Sequence, residues 1–270
     1  MLRLSRLIKT AALLGLLLPP LASMPLAWAG AGSADRSADL NIVTAIDASD
    51  SIGRHEEWLQ YAGLAKALEH PDFLRLAFAG PRGRVGFAVI AWSSDGRIRS
   101  VLPWSVIASP ADARRLAAEL RRAPRRSRAA WETAGDAEEA TASDAGAGRT
   151  DLALAIGAAS AWLSRAPLAA PRSALNLLSN GIDNAGLPPE AARDAALRPG
   201  VAINAVIFGA AARAAPYFER RVIGGSGAFL LQIEEPGDMI DTLALKFWLD
   251  IAGGTDSDSV DAALPTKAPG

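Results

Sequence analysis

The stretch from Leu40 to Ser51, which reads LNIVTAIDASDS, determines the fold that we predict. Its first half is apolar and rich in β-branched residues, a composition typical of a buried strand. Its second half, from Asp47 to Ser51, is a cluster of side chains that carry oxygen atoms. Ligands of α/β proteins usually bind at the carboxyl ends of strands. The segment therefore predicts a strand that leads directly into a binding site.

The candidate ligand-holding residues in this segment are Asp47, Ser49 and Ser51, which lie on alternate positions. Three oxygens at this spacing converge on one point where the chain curls. Mg²⁺, Mn²⁺ and Ca²⁺ all prefer such oxygen donors. The first hypothesis is therefore a hard-cation site, and the alternative is an ordinary Asp/Ser-rich turn or helix N-cap.

Residues 1–29 have the pattern of a signal peptide. Three basic residues precede an apolar run from Ala11 to Leu18, and Ala27-Trp28-Ala29 forms an A-x-A cleavage site. The apolar run is shorter than the ~20 residues of a membrane-spanning helix, and Pro19-Pro20 ends it, which argues against an uncleaved anchor or a buried helix. We expect cleavage near Ala29, a mature chain without a transmembrane helix, and a periplasmic or secreted protein.

The composition excludes several kinds of site. The 270 residues include no Cys, so disulfides, thiolate metal sites and cysteine nucleophiles are excluded. The formal net charge of −1 gives no general attraction to nucleic acid or anionic membranes. His55 and His70 are the two histidines, so a histidine base has few candidates. About 240 residues follow the predicted cleavage site, enough for one α/β domain with a substantial core.

Strand-like and helix-like segments alternate along this part of the chain. Strands are predicted within 40–51 and at 84–93, 98–104, 173–178, 201–208 and 228–233, and helices at 54–70, 110–123, 150–165, 188–197, 211–222 and 238–251. Residues 94–97 favour a hairpin, which would make one edge strand antiparallel. The order predicts an α/β fold: a doubly wound, mostly parallel six-stranded sheet with one antiparallel edge strand and helices on both faces.

Residues 124–149 interrupt this alternation. A basic run gives way there to an Ala-, Asp-, Glu-, Gly- and Thr-rich stretch without a hydrophobic period, which predicts a mobile surface insertion. Its arginines either contact an anion or a partner, or form a solvated charge run, and Trp131 is a candidate partner anchor. Residues 252–270 predict a disordered tail, which leaves 39–251 as the folded domain.

Two further polar loops fall at the same predicted edge of the sheet. Gly148-Arg149-Thr150 opens a helix, and Ser179 to Gly186 follows a strand. Together with the D-x-S-x-S motif at Asp47 to Ser51, they resemble the metal-ion-dependent adhesion site of the von Willebrand factor type A domains. Thr150 matches the distant Thr of that site. The site normally ends with an Asp-Gly pair, and Asn180-Gly181 stands in its place.

The resemblance is closer to an uncharacterised, exported bacterial branch of these domains. Ala91-Trp92-Ser93, Pro103-Trp104 and Ala123 to Arg126 carry it, together with the signal peptide and the polar loop that begins at residue 179. It covers roughly residues 39–251, and it implies the same doubly wound fold. The branch runs almost directly into its Thr where this chain has Ser127 to Ala147 inserted.

The resemblance implies a bound Mg²⁺ or Mn²⁺, with Ca²⁺ as a further candidate, held by Asp47, Ser49, Ser51, Thr150 and Asn180. Because Asn180 replaces an Asp, Asp47 is the one carboxylate at a matching position, and we predict weaker metal binding than in an all-Asp site. In this family a partner's acidic side chain completes the metal shell. The implied partner is an unknown protein or envelope ligand that presents a carboxylate. The alternative is an ion-free pocket whose polar side chains hydrogen-bond to one another.

Three nearby acids are candidates to replace the missing charge. Asp183 is the candidate auxiliary ligand, and Asp50 and Asp151 are two more. Each has a structural alternative: a turn residue for Asp183, a solvent-facing side chain for Asp50, and a first-turn complement to the helix dipole for Asp151.

Three functions stay open at this point. The first is an exported binding module that uses the metal-centred edge. The second is a metal-assisted hydrolase, but the chain has no G-x-S-x-G or H-E-x-x-H motif, and His55, soon after Ser51, has a solvent-facing first-turn position as its alternative. The third is a structural interaction domain with the same fold and no metal. We favour the binding module and predict no catalytic residue.

Overall fold

The computed structural model describes residues 36–49, 51–93, 96–135 and 150–253, with the side chains of 125–135, 210 and 211 excepted. The predicted signal peptide, Asp50, residues 136–149 of the predicted insertion and residues 254–270 of the predicted tail lie outside these ranges. Within the described ranges, no helix is long and apolar enough to cross a membrane.

Strands and helices alternate along the described chain. The strands are β1 (Leu40–Asp47), β2 (Val85–Trp92), β3 (Ile98–Ile107), β4 (Arg172–Ser179), β5 (Val201–Phe208) and β6 (Leu230–Ile233). The α-helices are α1 (Arg54–Glu69), α2 (Pro71–Ala79), α3 (Pro110–Gly135), α4 (Leu152–Leu163), α5 (Pro189–Ala196), α6 (Ala215–Arg221) and α7 (Met239–Ala252). Short 3₁₀ helices, Gly209–Ala214 and Pro236–Asp238, precede α6 and α7.

The six strands form one sheet in the order β3-β2-β1-β4-β5-β6. All neighbours pair in parallel except β2 and β3, which are antiparallel, so β3 is the antiparallel edge strand. The predicted fold class is therefore confirmed. The strand order reverses between β1 and β4, because the chain first builds outward to β3 and then returns to the other side of β1. Such a switch point opens a crevice at the carboxyl ends of the two strands.

Each face of the sheet is covered by its own helices. Ile42 and Ile46 of β1 lie in a core with α1, α2, α3 and α7. Val43 and Ala45 of the same strand lie in a second core with α4, α5 and α6. Successive side chains of a strand point to opposite faces, so a strand with apolar residues at successive positions contributes to both cores.

The buried surface of α1 differs from the prediction. Trp58, Tyr61, Leu64 and Leu68 recur at helical spacing, which predicts that Trp58 lies on the buried face. In the structure Trp58 is 49% exposed, while Gln60 is completely buried. The helix is buried on more than one side because α3 and α7 both pack against it. Gly63 allows the close approach of α7: a Cβ there would lie 2.6 Å from the Leu243 side chain. Helix α1 is therefore buried by two packing partners and not only along the single apolar stripe that its periodicity indicates.

One helix is longer than predicted, and another was not predicted. The helix predicted at 110–123 continues through Pro124 to Gly135, so the first part of the predicted insertion is helical. Pro124 was expected to end it, but the Arg- and Ala-rich residues that follow have high helix propensity. The nine-residue α2 was not predicted; it begins with His70 as N-cap, whose Nδ1 accepts from the backbone N–H of Asp72, and with Pro71 at its first position.

A buried polar network lies under α7. Asn176 of β4 and Asn204 of β5 are paired across the sheet, and both donate side-chain hydrogen bonds to the Asp250 carboxylate at 2.9 Å. Lys246, one turn earlier on α7, donates to the same carboxylate at 2.5 Å, and neither side chain of this ion pair is exposed. These contacts fix α7 to the two strands whose opposite ends lie next to the candidate site.

Candidate functional site

The D-x-S-x-S loop begins where β1 ends. Asp47 is the last residue of β1 and is completely buried. Its Oδ1 accepts a hydrogen bond from the backbone N–H of Ser49 at 2.9 Å, which fixes the first turn of the loop. Its Oδ2 accepts from the backbone N–H of Asn180 at 3.4 Å and lies 3.3 Å from Ser179 Oγ. One carboxylate therefore joins the ends of the neighbouring strands β1 and β4.

Three of the predicted ligands form a chain of side-chain hydrogen bonds. Ser49 Oγ and Ser51 Oγ are 3.0 Å apart, and Ser51 Oγ donates to Asn180 Oδ1 at 3.0 Å. Asn180 Nδ2 donates in return to the backbone oxygen of Ser51 at 3.4 Å. The fold thus brings Asp47, Ser49, Ser51 and Asn180 together from positions 133 residues apart at most.

Thr150, the second of the three elements of the predicted site, is buried next to Gly181. Its Oγ1 lies 2.7 Å from the position that a Cβ would occupy on Gly181. Such an approach is too close for a real Cβ, so a residue without a side chain is needed at Gly181 if Thr150 is to stay in place. The Asn180-Gly181 pair therefore combines an amide oxygen with the space that the threonine hydroxyl occupies.

Four hydrogen bonds fasten the loop after β4 to the start of α4. Asp183 Oδ1 accepts from the backbone N–H of Leu152 at 2.9 Å, and Asn184 Oδ1 accepts from that of Thr150 at 2.7 Å. The backbone oxygen of Thr150 accepts from the N–H groups of Asn184 and Ala185 at 3.0 and 3.2 Å. Threonine and loop are therefore held as one unit.

The candidate auxiliary acids have structural partners. Asp151 is the N-cap of α4, and its Oδ1 accepts from the backbone N–H of Leu154 at 2.8 Å. Asp183 contacts the same helix end through Leu152, and burial raises the pKa of its carboxyl. Both acids stabilise the first turn of α4. Metal ligation by Asp183 stays a prediction, and Asp50 lies outside the described residues.

Two site residues were not predicted from the sequence. Ser179 is buried, and its Oγ lies 2.9 Å from the backbone oxygen of Gly181 as well as near Asp47. Gln60 of α1 donates from Nε2 to the backbone oxygen of Asp47 at 3.0 Å. The available signal for Gln60 was an amide within an apolar helix. The hydrogen bond from Gln60 holds the end of β1 in place.

The electrostatics of the site are dominated by one carboxylate. Burial raises the pKa of Asp47, although hydrogen bonds from Ser49, Asn180 and Ser179 lower it in part. None of the described residues forms a salt bridge with it. The described residues also contain no group of three His, Cys, Asp or Glu side chains that could hold a metal. The donors present are carboxylate, hydroxyl and amide oxygens, which fit a hard cation in type but supply little charge.

Ser51 and His55, the candidate residues of a hydrolase, are not hydrogen-bonded to each other in the described structure. His55 is exposed and stacks on Trp58, with ring centroids 5.9 Å apart. The described side-chain hydrogen bonds of Ser51 go to Ser49 and Asn180 rather than to His55. A nucleophile and its base need to be within hydrogen-bond reach of each other. Ser51 and His55 therefore do not form a Ser-His pair in the described structure.

Solved structures with a similar fold include proximal thread matrix protein 1 from the mussel byssus, with 13% identity and a TM-score of 0.52 over 81% of this chain and 48% of that one. The pilus adhesin SpaC from Lactobacillus rhamnosus GG has 10% identity and a TM-score of 0.51 over 79% of this chain and 31% of that one. A von Willebrand factor type A protein from Catenulispora acidiphila has 15% identity and a TM-score of 0.49, over 80% and 43%.

This chain thus spans half or less of the length of these proteins, and at such identities the likeness shows the fold alone. That fold is the von Willebrand factor type A fold, as the resemblance predicted. No curated protein of similar sequence was found.

A family model matches nearly all of the described chain. It aligns in two parts, residues 37–144 and 128–255, which overlap within the segment that the sequence marks as an insertion. The function of this family is unknown, which agrees with the predicted likeness to an uncharacterised branch. The chain belongs to the family described as "Protein of unknown function (DUF1194)".

Proposed function

We propose that this protein is an exported binding module that holds a partner through a divalent cation at the carboxyl edge of its sheet. The observation that carries the proposal is Asp47, a completely buried carboxylate without a salt bridge among the described residues. Burying an unpaired ionised carboxylate is costly, and a cation beside it offsets that cost. The oxygens of Ser49, Ser51 and Asn180 are of the type that Mg²⁺, Mn²⁺ and Ca²⁺ accept.

Each residue has its own task in this proposal. Asp47 supplies the negative charge, Ser49, Ser51 and Thr150 supply hydroxyl oxygens, and Asn180 supplies an amide oxygen in place of a carboxylate. When bound, the cation supplies a positive charge that attracts a carboxylate of the partner. Because Asn180 is neutral, the residues neutralise less of that charge. Metal affinity is therefore weaker than in an all-Asp site, and attraction of the partner's carboxylate is stronger.

Two further observations support export and adhesion. Residues 1–29 have the signal-peptide pattern, from which we propose a periplasmic or secreted location after cleavage near Ala29. One protein of similar fold, SpaC, is a pilus adhesin. We infer that the partner here is also a protein, or an envelope ligand, that presents a carboxylate.

A second candidate is a module that binds its partner without metal. The hydrogen-bond chain from Ser49 through Ser51 to Asn180 favours it, because these oxygens satisfy one another. Under this alternative Asp47 acts as a buried hydrogen-bond acceptor that joins β1 to β4. The two candidates differ in whether a cation stabilises the folded protein.

Thermal denaturation with increasing MgCl₂ or MnCl₂ separates them. A cation at about ten times its Kd stabilises by about 1.4 kcal/mol, which raises the melting temperature of a domain of this size by about 3–6 °C. Asp47→Ala should abolish the shift. Asp241→Ala, which removes an exposed acid on α7, is the matched control and should keep it. An absent shift in the wild type, or an unchanged one in Asp47→Ala, contradicts the cation proposal and supports the metal-free candidate.

Capture from an envelope extract tests partner and metal together. The immobilised wild-type protein should retain a partner in MgCl₂ and release it in EDTA, whereas Asp47→Ala should retain it in neither. Equal capture with and without EDTA would support a module that works without metal. No capture under any condition would contradict a partner in the envelope.

A further inference from the structure

Exposed apolar side chains are concentrated at the edge that carries the candidate site. Among the described residues the large exposed hydrophobics are Leu187 at 73%, Trp58 at 49% and Ile182 at 46%. Ile182 and Leu187 lie in the loop after β4, and Trp58 lies in the second turn of α1, which follows β1. β1 and β4 are adjacent in the sheet, so both segments leave it at the same end. Exposed apolar residues gathered at one place mark an interaction surface.

The loop that presents Ile182 and Leu187 is held rigidly. Between these two residues, Asp183, Asn184 and Ala185 are hydrogen-bonded to the start of α4 as described above. Pro188 and Pro189 follow Leu187 and restrict the backbone on its other side. A fixed loop loses little conformational entropy on binding, so its apolar side chains are suited to act as anchors.

Positive charge without an ion pair is present at the same edge of the sheet as these anchors. Arg54 opens α1, and Arg213 lies in the 3₁₀ helix after β5, so both lie in segments that follow carboxyl ends of strands. Both are exposed, and neither forms a salt bridge within the described part of the chain.

The described acids in the loops and first helical turns next to β1 and β4 are engaged in the protein's own structure. Asp151 and Asp183 bond to the backbone of α4, Glu56 to the backbone N–H of Gly53, and Glu190 pairs with Arg221. Glu234, Glu235 and Asp238, which follow β6 at the far end of the strand order, are exposed acids. The charge left available to a partner near the carboxyl ends of β1, β4 and β5 is therefore basic.

We propose that this edge docks a protein segment in which an acidic side chain is flanked by bulky apolar side chains. Ile182 and Leu187 contact the apolar side chains, and Arg54 and Arg213 attract the acid. The inference rests on the proposed function in taking this edge as the binding site, and it adds the class of partner. Its evidence is independent of the cation, because exposure, loop rigidity and arginine charge are unchanged without one.

Selection from a random peptide display library tests the proposal. The wild-type protein, immobilised in MgCl₂ and separately in EDTA, should enrich peptides that carry Asp or Glu next to Leu, Ile or Phe. The double variant Ile182→Ser/Leu187→Ser should bind the enriched peptides about tenfold or more weakly. The double variant Arg54→Gln/Arg213→Gln should bind the enriched peptides more weakly and with a smaller preference for acidic residues. Leu245→Ser on α7, which changes a half-buried leucine away from this edge, should leave binding unchanged.

The outcomes separate this inference from the proposed function. Enriched peptides without the acidic-apolar pattern, no enrichment at all, or equal binding by Ile182→Ser/Leu187→Ser would overturn the inference. The proposed cation fails on a different result, namely peptide affinities that neither EDTA nor Asp47→Ala changes. Ile182 and Leu187 are exposed, so their variants should keep the wild-type melting temperature, which confirms that lost binding is not lost folding.

Discussion

Replacing Lys246 by Met should strongly destabilise the protein, because it breaks the buried network under α7. Lys246 and Asp250 form an ion pair with both side chains 0% exposed. Methionine keeps most of the volume but removes the charge, which leaves the Asp250 carboxylate with the amide donors of Asn176 and Asn204. Breaking a buried pair from one side costs about 3–5 kcal/mol. For a domain of this size that lowers the melting temperature by about 6–20 °C.

Lys246 also makes the free energy of unfolding depend on pH. Desolvation by burial outweighs the attraction of Asp250 and lowers the pKa of Lys246 from 10.5 to about 8. Between these values the unfolded chain holds a proton that the folded chain has released. The contribution of this group to the free energy of unfolding therefore rises with pH across the window, and it is lost as the pH falls through about 8. Lys246→Met should remove this rise.

Urea denaturation followed by circular dichroism, repeated from about pH 7 to 10, measures both effects. Lys66→Met is the matched control: it breaks an exposed pair with Asp241 and should cost less than about 1 kcal/mol. Asp250→Ala completes a double-mutant cycle, in which the double variant should cost less than the sum of the two single variants. A loss below about 1 kcal/mol for Lys246→Met, or strict additivity, would refute the view that Lys246 compensates the buried carboxylate.

Three further predictions concern the candidate site. Gly181→Ala should cost about 1–3 kcal/mol in urea denaturation, because the new Cβ would lie 2.7 Å from Thr150 Oγ1, whereas Gly157→Ala, with nothing within 4 Å, should not destabilise α4. Asn180→Asp should bind Mg²⁺ more tightly in calorimetry and melt lower in EDTA, since it adds a second carboxylate beside Asp47; unchanged affinity would contradict a cation site. Because burial raises the pKa of Asp47, protons should compete with the cation, so the Mg²⁺-induced melting shift should grow as the pH rises above the ordinary carboxyl value of about 4; a flat profile would argue against Asp47 as ligand.

The fold was predictable because its strands are buried on both faces. Leu40–Asp47 and Val201–Phe208 read as near-continuous apolar runs, and both were located within a residue or so. The hairpin residues between β2 and β3 identified the antiparallel edge strand. The sequence did not reveal that β3 continues past Trp104 to Ile107. Pro103 fits within β3 because an edge strand has no partner on one side.

Features that depend on two or more elements were not predictable from local patterns. Trp58 fits an apolar helical stripe, but α3 and α7 bury other sides of α1 and leave it exposed. Asn204 was visible as the single polar residue in an apolar strand. Its partners Asn176 and Asp250 lie 28 and 46 residues away, so the network became apparent with the register of β4 and β5. The periodicity of apolar residues indicates which positions are buried. The strand order and register determine which residues contact each other.

Asn180 shows how the two kinds of information combine at the site. The sequence indicates that one negative charge is missing, which weakens a cation site. The structure adds that the backbone N–H of Asn180 donates to Asp47, while its side-chain oxygen accepts from Ser51. An aspartate could accept the same serine hydrogen bond, but it would set a second carboxylate beside a buried one whose pKa burial already raises. With the amide, the folded protein avoids that repulsion when no cation is present. Asparagine at position 180, in place of aspartate, therefore lowers both the cation affinity and the energetic cost of the cation-free state. For this reason cation-dependent stability and partner capture need to be measured on the same variants.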